Sequence, residues 1–203
     1  MRAEQIGETA ERLREVGRRL FARDGYDGTS VRALAGAAGV NLGSVRYHFG
    51  SKRGLYRVVI RSGLDPLREQ LERISWQNDL PYAQLQTGLM EVVEFFRVHP
   101  DVAGLVQRAF QDLQGTSAGE PAELLTPLRP LGRMIQGAQE VGLVRSDEPC
   151  LLALRLLLVS SQILLLARAM GSGQTGVEPP TGRGSGASIC AILTHLVLEP
   201  EEG

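Results

Sequence analysis

Residues 30–49 read S-V-R-A-L-A-G-A-A-G-V-N-L-G-S-V-R-Y-H-F, and this stretch predicts two short helices joined by a tight turn. Apolar residues recur at helical spacing through its first half. Gly39 follows, where a helix that ends in the left-handed conformation favours glycine, and Asn41 can cap the next helix. The spacing Ala35-x3-Gly39-x5-Val45 suits a helix-turn-helix, in which small and branched apolar residues let two helices cross closely.

The face left outside this packing carries side chains suited to phosphate groups and base edges. An ordinary helical hairpin has the same spacing, but the outward polar and basic residues favour DNA binding. We expect Arg46 to read a base, because arginine can hold guanine O6 and N7 together; a phosphate contact is the alternative. The candidate DNA-contacting residues are Thr29, Ser30, Arg32, Leu42, Gly43, Ser44, Arg46, Tyr47, His48 and Lys52.

Charge divides the chain into two parts. Residues 1–62 contain 12 Lys/Arg and 6 Asp/Glu, whereas residues 63–203 contain 10 Lys/Arg and 17 Asp/Glu. A basic beginning and an acidic remainder indicate one anion-binding module and one part that stays off DNA. The domains are predicted as a helix-turn-helix DNA-binding domain at 1–50 and a ligand-binding and dimerisation domain at 51–203.

The sequence offers no pattern for catalysis or for a cofactor. It has three histidines, no nucleophile motif and no metal-ligand spacing, so neither an enzyme nor a metal site is predicted. Cys150 and Cys190 lie in apolar runs and are expected to be buried thiols. The first twenty residues lack an apolar signal segment, and the apolar run 151–167 is interrupted by polar residues, so a cytoplasmic protein without a membrane span is expected.

Helical periodicity continues along the chain. An amphipathic helix is predicted over 4–23, ended by Asp24-Gly25, and a fourth helix begins after Ser51 and is kinked or restarted at Pro66. Later helices are expected from Pro81 to about His99, from Pro100 onward, across 124–141 and from Pro149 to about Met170. A mobile loop is predicted over 171–186 and a last helix over 187–198. The fold class is therefore all-α, with about nine helices.

The stretch from about Leu13 to Ile60 resembles the DNA-binding domain of the tetracycline-repressor (TetR) family. The segments R-R-L-F-A-R-D-G-Y-D-G-T-S-V-R-A-L-A-G-A-A-G-V and N-L-G-S-V-R-Y-H-F-G-S-K-R-G-L-Y carry the resemblance. Leu42 and Arg46 stand where the family often has a polar or basic residue and an aromatic residue. The resemblance implies a three-helix DNA-binding domain, followed by a helical domain that binds a small ligand and dimerises.

Two further surfaces are expected in the helical domain. The apolar helices near the C-terminus carry more leucine and isoleucine than one inward stripe can hide, which favours a two-fold four-helix interface. The candidate interface residues are Leu154, Leu158, Leu165, Ile189, Leu193 and Leu196. The middle helices are expected to enclose an apolar pocket for the effector, lined by Trp76, Met90, Phe95, Phe96, His99, Gln107, Arg108, Phe110, Arg133 and Met134.

The sequence thus predicts a ligand-responsive transcriptional regulator, expected to act as a repressor. It would bind a palindromic DNA operator as a homodimer and leave it when a small effector binds. Two alternatives remain at this point: a regulator switched by oxidation of Cys150 or Cys190, and a protein-interaction module that needs no effector. The redox alternative requires an exposed, acidic thiol.

Overall fold

The structure, a computed structural model, describes residues 2–77, 80–115, 126–144 and 147–171. These ranges contain eight α-helices and one short 3₁₀ turn, Thr126–Leu128. The helices are α1 (Arg2–Gly28), α2 (Val31–Ala38), α3 (Gly43–Phe49), α4 (Lys52–Gln77), α5 (Pro81–Val98), α6 (Pro100–Gly115), α7 (Arg129–Glu140) and α8 (Pro149–Gly171). The all-α fold class is confirmed. The predicted loop at 171–186 and the helix at 187–198 lie outside the described residues.

The first three helices form the predicted compact unit. The regular part of α1 ends where Gly25 adopts φ 71°, a left-handed angle that few other residues tolerate. Tyr26, which follows, turns inward and packs its ring against Phe21 and Tyr56 with centroids 6.4 and 5.1 Å away. The predicted break at Asp24-Gly25 is therefore confirmed.

Helix α4 leads from this unit into the rest of the chain. The Ser51 hydroxyl accepts a hydrogen bond from the Gly54 N–H at 3.0 Å, so Ser51 caps the helix as predicted. The helix runs unbroken from Lys52 to Gln77 with Pro66 inside it, and so Pro66 does not restart it. Its buried face is a leucine stripe formed by Leu55, Leu64, Leu67 and Leu71.

Helices α5, α6, α7 and α8 build the body of the molecule around that stripe. Helix α6 lies between α1 on one side and α8 on the other, and α5 packs on α4, α7 and α8. Gly88 of α5 brings that helix close to α7, since a methyl group there would lie 2.8 Å from Met134 Sδ. Burial of these apolar faces, at about 25 cal/mol per Å², is the main force that holds the bundle together.

The segment Pro149–Leu166 of helix α8 is long and apolar enough, by length and composition, to cross a membrane. Inside the protein, 44% of this segment is buried. It begins at Pro149, where Glu148 Oε2 accepts from the Leu151 N–H at 2.6 Å. Its contacts with α5, α6 and α7 make it a core helix of the bundle.

We expect Gly54→Ala to destabilise the protein, because a methyl group at this position would lie 1.9 Å from the Phe49 carbonyl oxygen. The turn between α3 and α4 would have to shift, at a cost of about 1–3 kcal/mol. Gly36→Ala is the matched control, since nothing lies within 4 Å of its added methyl group. Gly36 lies inside α2, so alanine there should raise the free energy of unfolding by roughly 0.5–1 kcal/mol. Urea unfolding of both variants measures the difference, and equal stabilities would contradict the packing described here.

Candidate nucleic-acid interface

Local capping rules set the geometry of the two short helices. The Ser30 hydroxyl accepts from the Ala33 N–H at 3.0 Å and starts α2. Gly39 ends α2 with φ 63° and ψ 37°, and the Val40 N–H returns to the Ala35 carbonyl at 3.0 Å. Asn41 Oδ1 then accepts from the Gly43 N–H at 2.9 Å. The predicted roles of Ser30, Gly39 and Asn41 in this turn are confirmed.

Helix α3 is fixed on one side and open on the other. Val45 is 1% exposed and anchors α3 in the core, while Phe49 packs half-buried against that core. Tyr47 is 73% exposed and Leu42 is 52% exposed. The other outward residues of the predicted set are Arg32, Gly43 and Arg46, which are exposed, and Ser44 and His48, which are half-buried.

The stretch of sequence that carries this open face has charges of one sign. No acidic residue occurs between Asp27 and Asp65, whereas the same stretch contains five arginines and one lysine. The His48 ring lies edge-on to Tyr47, with centroids 4.9 Å apart, which places two polar aromatic side chains together on the rim. An exposed α-helix with cationic and hydrogen-bonding side chains, in a stretch of sequence without acidic residues, suits a polyanion.

Lys52 differs from its predicted role as a phosphate contact. Its ammonium group donates to the carbonyl oxygens of Tyr26 at 2.8 Å and Thr29 at 3.0 Å. It also lies 4.0 Å from the centroid of the Tyr26 ring, in a cation–π contact. Two of its three N–H donors are therefore used inside the protein, and Lys52 ties the start of α4 to the junction between α1 and α2.

The Thr29 side chain also differs from the prediction. It is 1% exposed, and its hydroxyl donates to the Gly25 carbonyl at 2.8 Å. A side chain this buried cannot reach a phosphate without unfolding the turn, so Thr29 holds the turn and Ser30 alone presents a hydroxyl at the start of α2. Sequence spacing placed both residues at the helix start and could not separate their directions.

The residues expected to line an effector pocket fall into separate environments. Phe95, Phe96 and Met134 are buried in the core, whereas Met90, Arg108 and Arg133 are exposed. His99, Gln107 and Phe110 are half-buried, and Trp76 lies outside the residues whose side chains are described. Phe95 packs on Phe96 and on His99, with ring centroids 5.4 and 4.8 Å apart, and this small cluster is the part of the set that the structure brings together.

Clefts open at the surface of the described chain include the following two. One, of about 430 Å³, lies between α1 and α4 and is lined by Glu11, Arg14, Glu15, Arg18, Ser62 and Gly63. The other, of about 630 Å³, lies between α7 and the start of α8. Of the predicted pocket residues, Arg133 lines this second cleft. Charged and amide side chains line parts of both clefts, and the apolar effector pocket expected from the sequence stays a prediction.

The predicted dimer residues divide in a similar way. Leu154 is 8% exposed and belongs to the core of one protomer, while Leu158 and Leu165 are half-buried. Ile189, Leu193 and Leu196 lie outside the described residues. The structure also shows a stripe along α8 that includes the predicted, half-buried Leu158. Its other members are exposed: Leu151, Arg155, Gln162 and Leu166.

Cys150 does not have the properties that a redox switch requires. The thiol is half-buried, and its pKa is raised by burial and by the negative charge and hydrogen bond of Glu148. A raised pKa leaves less of the reactive thiolate at neutral pH. Cys190 lies outside the described residues, which also contain no cluster of three or more His, Cys, Asp or Glu that could hold a metal ion.

Comparison with known proteins agrees with this geometry. Residues 13–59 match the family of bacterial regulatory proteins described as the tetR family. The HTH-type transcriptional regulatory protein RaaS of Mycobacterium tuberculosis is 35% identical over 129 residues, which cover 64% of this chain and 53% of RaaS. The HTH-type transcriptional repressor NicS of Pseudomonas putida is 26% identical over 161 residues, covering 72% of this chain and 71% of NicS. The chain thus spans about half the length of RaaS.

The fold is shared well beyond the matched segment. The structure of the ketosteroid transcriptional regulator KstR2 of M. tuberculosis aligns with a TM-score of 0.62 at 21% identity, over 94% of this chain and 95% of KstR2. The matched proteins are regulators rather than enzymes. The helix-turn-helix at 31–49 and the match over 13–59 together show that this chain carries a DNA-binding domain of the tetR family of bacterial regulatory proteins, within a helical fold shared with known regulators.

Proposed function

We propose that this protein is a transcriptional repressor that binds a palindromic operator as a homodimer in the cytoplasm and leaves it when a small effector binds. The observation that carries the proposal is the open face of α3, a helix that presents Arg46, contains no acidic residue and is anchored on its opposite side by Val45. A recognition helix in the major groove needs both properties.

The proposed contacts divide into base reading and positioning. Arg46 projects from an exposed part of α3 and has the bidentate guanidinium that suits guanine. Tyr47, His48, Ser44 and the helix start at Ser30 would hold phosphates, since hydroxyl and imidazole donors and free N–H groups favour anionic oxygens. Leu42 offers an apolar surface for a thymine methyl group.

The α8 stripe supports a two-fold assembly. Leu151, Leu158 and Leu166 recur at seven- and eight-residue spacing on one face of α8. In the single chain Leu151 and Leu166 are exposed and Leu158 is half-buried. Exposed leucines in a continuous row are costly in water, and an antiparallel pairing with a second copy would cover them. A dimer would then offer two α3 helices to successive major grooves.

Release by a small effector is supported by the family resemblance. NicS, which is similar in sequence, is a repressor, and KstR2, which shares the helical fold, is a ketosteroid transcriptional regulator. An effector can release DNA only if it binds the conformation that does not fit the operator better than the one that does.

The function can be tested by selecting DNA from a random library with the purified protein. We expect one palindromic sequence to emerge, and Arg46→Ala should relax the preference at one position in each half-site, at roughly 1–3 kcal/mol. Arg73→Ala removes the same charge from α4, at a point about 30 Å along the helix from Lys52, and serves as the control. Mobility shifts with matched and mismatched sites measure both variants.

Two results would contradict the assignment. Recovery of no preferred DNA sequence would remove the repressor proposal. Equal losses of affinity on all sequences for Arg46→Ala would make Arg46 a phosphate contact.

The dimer is tested separately by Leu166→Glu. Leu166 is 55% exposed, so the charge should leave the fold of one protomer intact while it splits the dimer. Val141→Glu is the matched control, because Val141 is 58% exposed and lies outside the α8 stripe. Sedimentation velocity should show a dimer for the parent and the control and a monomer for Leu166→Glu. A parent protein that is monomeric at micromolar concentration, yet binds a palindrome tightly, would refute the assembly.

A further inference from the structure

We propose that Asp112, on α6 of the body, is a positioning residue that sets where the DNA-binding unit sits relative to the dimer face. The inference rests on the proposed function and adds the residue that links the two parts. Asp112 touches no DNA in this scheme and acts through Tyr26 and Tyr56.

The carboxylate of Asp112 holds two separate elements at once. Its Oδ2 atom accepts from the Tyr26 N–H at 3.2 Å and from the Tyr56 hydroxyl at 2.5 Å. Tyr26 follows the left-handed Gly25 between α1 and α2, and Tyr56 lies in the second turn of α4. The contact spans 86 residues of sequence for Tyr26. Hydrogen bonds to an ionised acceptor are roughly twice as strong as neutral ones.

Both polar groups of the Tyr26 main chain are therefore hydrogen-bonded to side chains. Asp112 takes its N–H, while Lys52 of α4 donates to its carbonyl oxygen at 2.8 Å and covers its ring. The backbone at this turn leads directly into α2 and the helix-turn-helix. A shift of α6 relative to α4 therefore cannot leave this turn unchanged, because both polar groups of the Tyr26 main chain are bonded to the body side.

Helix α6 reaches the proposed dimer helix from its other face. Gln107 Nε2 donates to the Leu158 carbonyl at 2.8 Å and to the Ser161 hydroxyl at 2.7 Å, both on α8. Leu158 belongs to the outward stripe of α8. One rigid helix thus carries a polar contact to the dimer helix at Gln107 and a polar contact to the DNA-binding unit at Asp112.

Two further contacts along α6 define the seam with α1. Arg18 of α1 lies 2.9 Å from the Asp101 carboxylate, and Arg108 donates to the Arg23 carbonyl at 3.3 Å. The Arg18–Asp101 pair is partly exposed and the Arg108 contact is exposed, so both contribute modestly. Asp112 and Asp101 are both half-buried, and of these α6 residues it is Asp112 that bonds to the turn that enters α2. Operator affinity depends on the spacing of two α3 helices about the two-fold axis. The bond between Asp112 and the Tyr26 N–H is the one expected to set this spacing.

The test compares Asp112→Ala with Glu91→Ala on the selected operator. Glu91 lies on α5, outside this cluster, so the control removes the same charge without touching Tyr26. We expect Asp112→Ala to lower operator affinity by between about 5-fold and about 100-fold, the range usual for coupling between sites. The dependence of affinity on salt should stay as in the parent protein, because no phosphate contact is lost. Asp112→Asn keeps one acceptor oxygen and should fall between the parent and the alanine variant.

Hydrogen exchange separates positioning from general loss of structure. In Asp112→Ala the Tyr26 amide should lose protection, while the Leu34 amide, bonded to the Ser30 carbonyl within α2, should keep it. Unchanged affinity would overturn the proposal, and so would loss of protection at both amides, since the carboxylate would then only maintain the fold. If the parent protein selects no DNA, the proposed function fails and the exchange result alone decides the role of Asp112 at this turn.

Discussion

The contact on which the DNA-binding surface depends is the ammonium of Lys52 on the carbonyl oxygens of Tyr26 and Thr29. Helix α3 spans only Gly43–Phe49, far shorter than a helix that is stable alone in water. Its position therefore comes from its neighbours: Val45 in the core on one side and the close turn at Gly54 on the other. Lys52 joins the turn before α2 to the helix after α3, so the two short helices are enclosed at both ends.

The same turn connects the DNA-binding unit to the body. Tyr26 lies at the meeting point of α1, α4 and α6, with its ring against Phe21 and Tyr56 and its main chain bonded to Lys52 and Asp112. In this arrangement the body and the DNA-binding unit are not independent. The predicted boundary between residues 50 and 51 separates them in sequence, yet α1 packs along α6 and shares a core with it. A ligand or a partner that moves α6 would act on α3 through this junction.

Local rules predicted the helix-turn-helix well. Glycine at the left-handed position 39, Ser30 and Ser51 as caps and Val45 as the inward anchor all follow from short-range spacing and appear in the structure as expected. The predictions that were wrong concern side chains whose direction is set by contacts between residues distant in sequence. Lys52 has a flexible side chain whose direction depends on carbonyl groups more than twenty residues away, and no periodicity reports that. The pocket set stays a prediction for a related reason. An aromatic residue in an apolar helix face can serve a core or a cavity equally well, and Phe96 and Met134 are buried in the core.

The most direct measurement of the central claim is a dimethyl sulfate footprint of the protein on its selected DNA, since this reagent methylates guanine N7 in the major groove. Two symmetric patches of protected guanines should appear, with centres about one helical turn apart, roughly 34 Å, or a multiple of it. Protection should require the folded α3 surface. The protected guanines should include the positions at which Arg46 determines the base preference. Guanines that remain fully reactive while the DNA is bound, or a single protected patch, would contradict major-groove reading by a dimer of α3 helices.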